Sequence, residues 1–132
     1  MELKVGYKQL VAEAEAQVET VGVGELLSAE QREVLLLIDL RDIRELWREG
    51  TIPGSVHVPR GMLEFWVDPE SPYFHKAFQE PRPLVLFCNK GWRSAMAAAV
   101  CQRMGLSDVR HLQGGFEAWV AAGGEVQPKE KR

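Results

Sequence analysis

Two short runs of the chain are apolar at every position: Val34–Leu35–Leu36–Leu37–Ile38 and Leu84–Val85–Leu86–Phe87. A strand covered on one face alternates apolar and polar residues, whereas a strand covered on both faces does not. The two runs therefore predict strands inside a parallel sheet with helices on each side. Positions 18–21, 55–58 and 109–112 are shorter strand candidates. Between them the spacing turns helical. Tyr7, Leu10, Val11, Ala14 and Val18 recur at helical intervals, which predicts a helix over 7–17. Further helical segments are expected at 24–31, 42–49, within 62–80, at 94–104 and at 115–122. Strands that alternate with helices imply an α/β sandwich on a mostly parallel sheet of about five strands.

That topology predicts where a site would lie. In open α/β sheets, ligands bind beyond the carboxyl ends of the strands. Three predicted strand ends carry polar residues: Asp39–Leu40–Arg41, Pro59–Arg60 and Cys88–Asn89–Lys90. Cys88 is the most informative of these. It closes an apolar strand and opens the loop Cys88–Asn89–Lys90–Gly91–Trp92–Arg93–Ser94, and an alanine-rich helix follows. Helix starts present unpaired N–H groups and the positive end of the dipole, and successive loop N–H groups form anion-binding nests. A thiol held there is expected to ionise readily. Gly91 permits a tight turn, Asn89 tolerates left-handed backbone, Arg93 adds a forked permanent charge, and Ser94 is expected to cap the following helix.

Length and composition narrow the rest. One domain is expected for 132 residues. A net charge of −3 argues against a general nucleic-acid binder. The longest apolar run, Ala95 to Cys101, is far too short for a membrane span. Residues 1–8 lack the apolar core of a signal peptide, so a cytoplasmic location is expected. Cys88 and Cys101 would sit roughly 10 Å apart along the following helix, too far for a disulfide. Neither shows metal-ligand spacing, and no metal is expected. The polar tail 127–132 is expected to fray.

Taken together, the motifs resemble the rhodanese family of sulfurtransferases, in particular its single-domain bacterial members. The Cys88–Ser94 loop is similar to the family's active-site loop. Gly50–Thr51–Ile52–Pro53–Gly54–Ser55–Val56–His57–Val58–Pro59 is similar to its first signature, with Asp39–Leu40–Arg41 before it. Gly114–Gly115–Phe116–Glu117–Ala118–Trp119 is similar to the signature near the carboxyl end. The resemblance spans about 18–124. It divides the chain into an N-terminal helical extension (1–17), a rhodanese-like domain (18–126) and a polar tail (127–132). It implies the rhodanese-like three-layer sandwich.

The resemblance also implies a chemistry. Cys88 would take a sulfane sulfur from thiosulfate or a related donor as a persulfide. It would then pass that sulfur to cyanide, a thiol or a sulfur-accepting protein. No organic cofactor is implied. Arg93, Lys90 and Arg60 would bind the donor, with Asn89, Gly91, Trp92 and Ser94 completing the loop. Two other functions compete. One is a binding or regulatory module on the same fold, which commonly lacks the cysteine. The other is a cysteine phosphatase or arsenate reductase. Phosphatase loops place five residues between cysteine and arginine, and this chain has four. Elsewhere the residues read as structural: Asp39 and Arg41 as loop fasteners, Cys101 as core, His57 as a packed histidine. His75 and His111 carry no motif.

Overall fold

In a computed structural model that describes residues 1–131, five parallel strands form one sheet. They are β1 (Glu19–Val21), β2 (Leu36–Asp39), β3 (Val56–His57), β4 (Leu84–Phe87) and β5 (Val109–Leu112), in the spatial order β1-β5-β4-β2-β3. Six α-helices join or flank them: α1 (Tyr7–Gln17), α2 (Ala29–Glu33), α3 (Ile43–Glu49), α4 (Leu63–Val67), α5 (Trp92–Arg103) and α6 (Gly115–Ala121). Because every ladder is parallel, all carboxyl ends lie along one edge of the sheet.

The continuous apolar runs are the two inner strands, buried at every residue. Successive side chains point to opposite faces. Leu36, Ile38, Leu84 and Leu86 pack with α4 and α5, through Leu63, Val67, Ala97, Ala98 and Cys101. Leu37, Val85 and Phe87 pack on the other side with Phe116 and Trp119 of α6. The result is a three-layer sandwich. The small residues Ala95, Ala97 and Ala98 lie fully buried on the sheet side of α5 and let that helix sit close to the strands.

Several local expectations are corrected. The predicted helix at 24–31 is divided into a 3-10 turn (Val23–Leu26) and α2, because the Ser28 hydroxyl accepts the Gln31 N–H (3.1 Å) and starts a new helix. The strand expected from Val34 begins two residues later, since Val34 ends α2 and is exposed. Only Leu63–Val67 of the 62–80 stretch is α-helical. Pro69 and Pro72, which cannot donate N–H groups, follow it. The tail does not fray where expected. Gln127 exchanges both backbone hydrogen bonds with Thr51 (2.8 and 2.9 Å), and Lys131 lies 5.1 Å from the Trp47 ring. Arg132 lies outside the described residues.

The sheet edge is fastened by a buried ion pair. Asp39, at the end of β2, and Arg41 are both fully buried. The guanidinium donates to both Asp39 oxygens (3.1 and 2.9 Å), to the Gly50 carbonyl (2.6 Å) and to Glu49 (3.1 Å). It also lies 4.1 Å from the Phe116 ring centre. Thr51 Oγ1 donates to Asp39 (2.7 Å) and lies 2.9 Å from Ser55 Oγ. The Gly50–Ser55 motif is thus a loop held by one carboxylate.

A buried pair stripped of one partner leaves an uncompensated charge. Arg41→Met is expected to lower unfolding stability by about 3–5 kcal/mol in urea titration. Asp39→Leu combined with Arg41→Met should cost less than the sum of the single changes. Strict additivity would show that the two side chains do not act as a pair.

Candidate active site

β4 delivers Cys88 to the carboxyl edge of the sheet, and the chain then turns within four residues into α5. The turn depends on Gly91, whose φ of +96° is left-handed. The Gly91 N–H donates to Cys88 Sγ at 3.1 Å and the Ser94 N–H at 3.4 Å. Two backbone dipoles therefore converge on one sulfur atom.

The loop carbonyls face the other way because α6 takes them. The Phe116 N–H donates to the Cys88 carbonyl (2.8 Å), and the Glu117 N–H to that of Asn89 (3.1 Å). Gly115 makes this approach possible. A Cβ there would lie 2.6 Å from the Asn89 oxygen and closer still to that of Cys88, at a φ of +61°. Trp119 anchors the helix: it is fully buried, and its indole N–H donates to the Glu125 carbonyl (2.8 Å). The Gly114–Trp119 motif serves the site by orienting the cysteine loop.

Arg93 is held by a residue with no visible link to it in sequence. Its two terminal nitrogens donate to the two Glu45 oxygens at 3.0 and 3.1 Å. Glu45 also accepts the Asp42 N–H (2.9 Å) at the start of α3. Burial opposes the Glu45 charge, but the Arg93 and Asp42 hydrogen bonds outweigh it and hold its carboxyl below the usual range. The Glu45 hydrogen bonds push the Arg93 guanidinium further up, against burial, and the nearby Cys88 adds to the shift.

Cys88, Asn89, Lys90, Trp92 and Arg93 line a cleft of about 120 Å³. Lys90 is exposed, its Nζ 5.5 Å from the Trp92 ring centre. Tyr7 of α1 lies 5.3 Å from the same ring, so the N-terminal helix reaches the cleft mouth. Asn89 keeps a negative φ, contrary to its expected left-handed role. Its side chain donates to Glu117 (3.3 Å).

Arg60 is not brought to this cleft. It pairs with Glu64 (2.8 Å) and lines a larger cleft of about 600 Å³ beside α1 and α5. That cleft contains no loop residue, so volume and chemistry do not coincide here. Cys101 is fully buried, and burial pushes its thiol up to about 11.

Ser94 is not the helix cap. Gly91 precedes the first helical residue, Trp92, and Ser94 is the third residue of α5, fully buried. Its Oγ lies 3.6 Å from Cys88 Sγ and 3.1 Å from His111 Nδ1. His111, on β5, had no motif to mark it. Its only signal was a polar residue at a position that alternation turns toward the same face as Val109. Among the described residues, no group of three or more His, Cys, Asp or Glu could hold a metal ion.

The rhodanese-like domain family matches residues 23–122. The chain belongs to the rhodanese-like family. This rhodanese-like chain is 38% identical over 94 residues to Mycobacterium tuberculosis MoeZ, named a probable adenylyltransferase/sulfurtransferase. The match covers 71% of this chain and only 21% of MoeZ. It is 30% identical over 107 residues to human thiosulfate:glutathione sulfurtransferase, covering 76% of this chain and 92% of that protein. A solved structure from Rhodopseudomonas palustris CGA009, described as a possible tyrosine phosphatase, superposes with a TM-score of 0.91 at 42% identity. That match covers 96% of this chain and 98% of the other.

In this rhodanese-like site the close approach at Gly115 is the most sensitive contact. Gly115→Ala is expected to destabilise the fold by at least ~1 kcal/mol from left-handed backbone alone. The clash should also disturb the N–H groups on Cys88 and slow its alkylation. Normal melting and normal alkylation in this variant would mean that α6 does not control the loop.

Proposed function

We propose that this chain is a sulfurtransferase that carries a sulfane sulfur on Cys88. The observation that carries the reading is the convergence of the Gly91 and Ser94 N–H groups on one sulfur atom at the end of β4. Such a cradle favours negative charge on sulfur, both as thiolate and as the thiolate that departs in the second step. Thiosulfate is the simplest donor. Cys88 Sγ attacks its outer sulfur, the S–S bond breaks, and sulfite leaves with the electron pair. The Cys88 persulfide then presents its outer sulfur to cyanide, a thiol or a protein thiolate. The acceptor's attack breaks the new S–S bond and returns the electron pair to Sγ. Every residue used belongs to this chain. Two unpaired cysteines suit a reducing compartment, which supports a cytoplasmic setting.

A cysteine phosphatase is the second reading, favoured by the description of the Rhodopseudomonas palustris relative. Three observations weigh against it. Four residues separate Cys88 from Arg93, the Arg93 fork is occupied by Glu45, and no aspartate lines the cleft among the described residues.

Intact mass after treatment with thiosulfate decides between them. One added sulfur atom is expected on Cys88, removed by cyanide and absent in Cys88→Ser. No adduct with any sulfane donor, together with rapid phosphate-ester hydrolysis, would reverse the order of the two readings.

Lys90 lies at the rim, clear of the cradle, so its charge can attract the anionic end of a donor without shaping the loop. Lys90→Ala should raise KM for thiosulfate more than it lowers kcat, with a smaller effect on an uncharged sulfane donor. Equal losses with both donors would indicate a role in loop structure.

A further inference from the structure

His111 is only 2% exposed, in the layer between the sheet and α5. Its Nδ1 lies 3.1 Å from Ser94 Oγ, and its Nε2 has no hydrogen-bond partner among the described residues. Ser94 is fully buried, with its Oγ 3.6 Å from Cys88 Sγ. Two buried side chains therefore lie in line behind the sulfur. The loop's own N–H groups account for neither of them.

We propose that His111 is a positioning residue that turns the Ser94 hydroxyl hydrogen toward Cys88, so that the hydroxyl becomes a third donor to negatively charged sulfur. This rests on the sulfur-transfer reading for its purpose, though not for its chemistry. A serine hydroxyl has one hydrogen, directed either at Sγ or at Nδ1. If Nδ1 carries the imidazole proton, it donates to Ser94 Oγ and the hydroxyl hydrogen is left for Sγ. If Nε2 carries it, Nδ1 accepts the hydroxyl hydrogen and Sγ loses that donor.

Burial selects between the two tautomers. With the proton on Nε2, a buried N–H would have no acceptor, and orphaned N–H groups are the rarer kind of unpaired group. With the proton on Nδ1, only a lone pair is left bare. The ring is held neutral: burial pushes its pKa below the usual histidine value, partly opposed by Glu15 of α1. Its partners in register, Thr20 on β1 and Leu86 on β4, carry no charge. No proton passes through His111. The Cys88 proton leaves to water, and the same O–H stabilises Sγ again when the persulfide bond breaks and the electron pair returns to it.

The test is Cys88 alkylation by iodoacetamide against pH, with adducts mapped by peptide mass and folding followed by melting. Ser94→Ala should slow the reaction at neutral pH about tenfold, the scale of one charge-assisted hydrogen bond. His111→Leu, which keeps the hydroxyl but removes the donor that fixes its direction, should slow it by a smaller factor. The deficit should close above about pH 10, where free thiols ionise unaided. The double variant should be no slower than Ser94→Ala alone. His111→Asn, whose amide can donate from nearly the Nδ1 position, should restore most of the rate.

Nitrogen NMR of the unaltered protein provides a measurement that no unfolded variant can compromise. It should find the His111 proton on Nδ1. A proton on Nε2, unchanged neutral rates in Ser94→Ala, or a deficit equal at every pH would each overturn the proposal. None of these depends on sulfur transfer. Failure of the unaltered protein to load sulfur from thiosulfate would instead overturn the functional reading alone.

Discussion

The site depends on the docking of the α6 amino terminus onto the carbonyls of the cysteine loop. A peptide unit cannot direct its C=O and its N–H to the same side. Once Phe116 and Glu117 take the oxygens of Cys88 and Asn89, the N–H groups of Asn89 and Lys90 are turned away from α6 and the start of the loop is fixed. From there the left-handed Gly91 and the first turn of α5 bring the N–H groups of Gly91 and Ser94 to Sγ. Gly115 must lack a side chain for this approach, and Trp119 must be buried to hold the helix in place. The carboxyl-terminal motif and the cysteine loop, far apart in sequence, are two halves of one hydrogen-bonded object.

Two ion pairs set the frame around that object, and they differ in kind. Asp39–Arg41 is sealed from water and fastens the Gly50–Ser55 loop to the end of β2. Its worth lies chiefly in the cost of breaking it, since burying two charges returns little net stability. Glu45–Arg93 is half open to solvent and ties α3 to the first turn of α5. Glu45 also completes the cap of α3, so one carboxylate fixes a helix start and a loop arginine together.

Features governed by local pattern were legible in sequence. The unbroken runs ending at Ile38 and Phe87 identified the inner strands, because burial on both faces leaves no polar position. The strand-to-loop-to-helix course around Cys88 was legible for the same reason. What escaped depends on distant partners. Arg93 looked free for an anion, but Glu45, 48 residues away, occupies its fork. Ser94 looked like a cap because it precedes the alanine run, yet Gly91 already makes the turn and Ser94 is drawn inside. His111 gained a context only when β5 was placed beside β4. The tail looked frayed because its composition is polar, and composition does not reveal the backbone pairing of Gln127 with Thr51.

The clamp on Arg93 has a consequence for ionic strength. Glu45 offsets part of the Arg93 charge, whereas the backbone dipoles of Gly91 and Ser94 touch the sulfur directly. Dissolved ions screen over a Debye length of about 8 Å at physiological salt and cannot enter between atoms already touching. Lys90, exposed at the rim, has no such protection. Salt therefore acts on the two halves of the site unequally: it weakens the attraction of a charged donor and leaves the sulfur's own electrostatic surroundings nearly untouched.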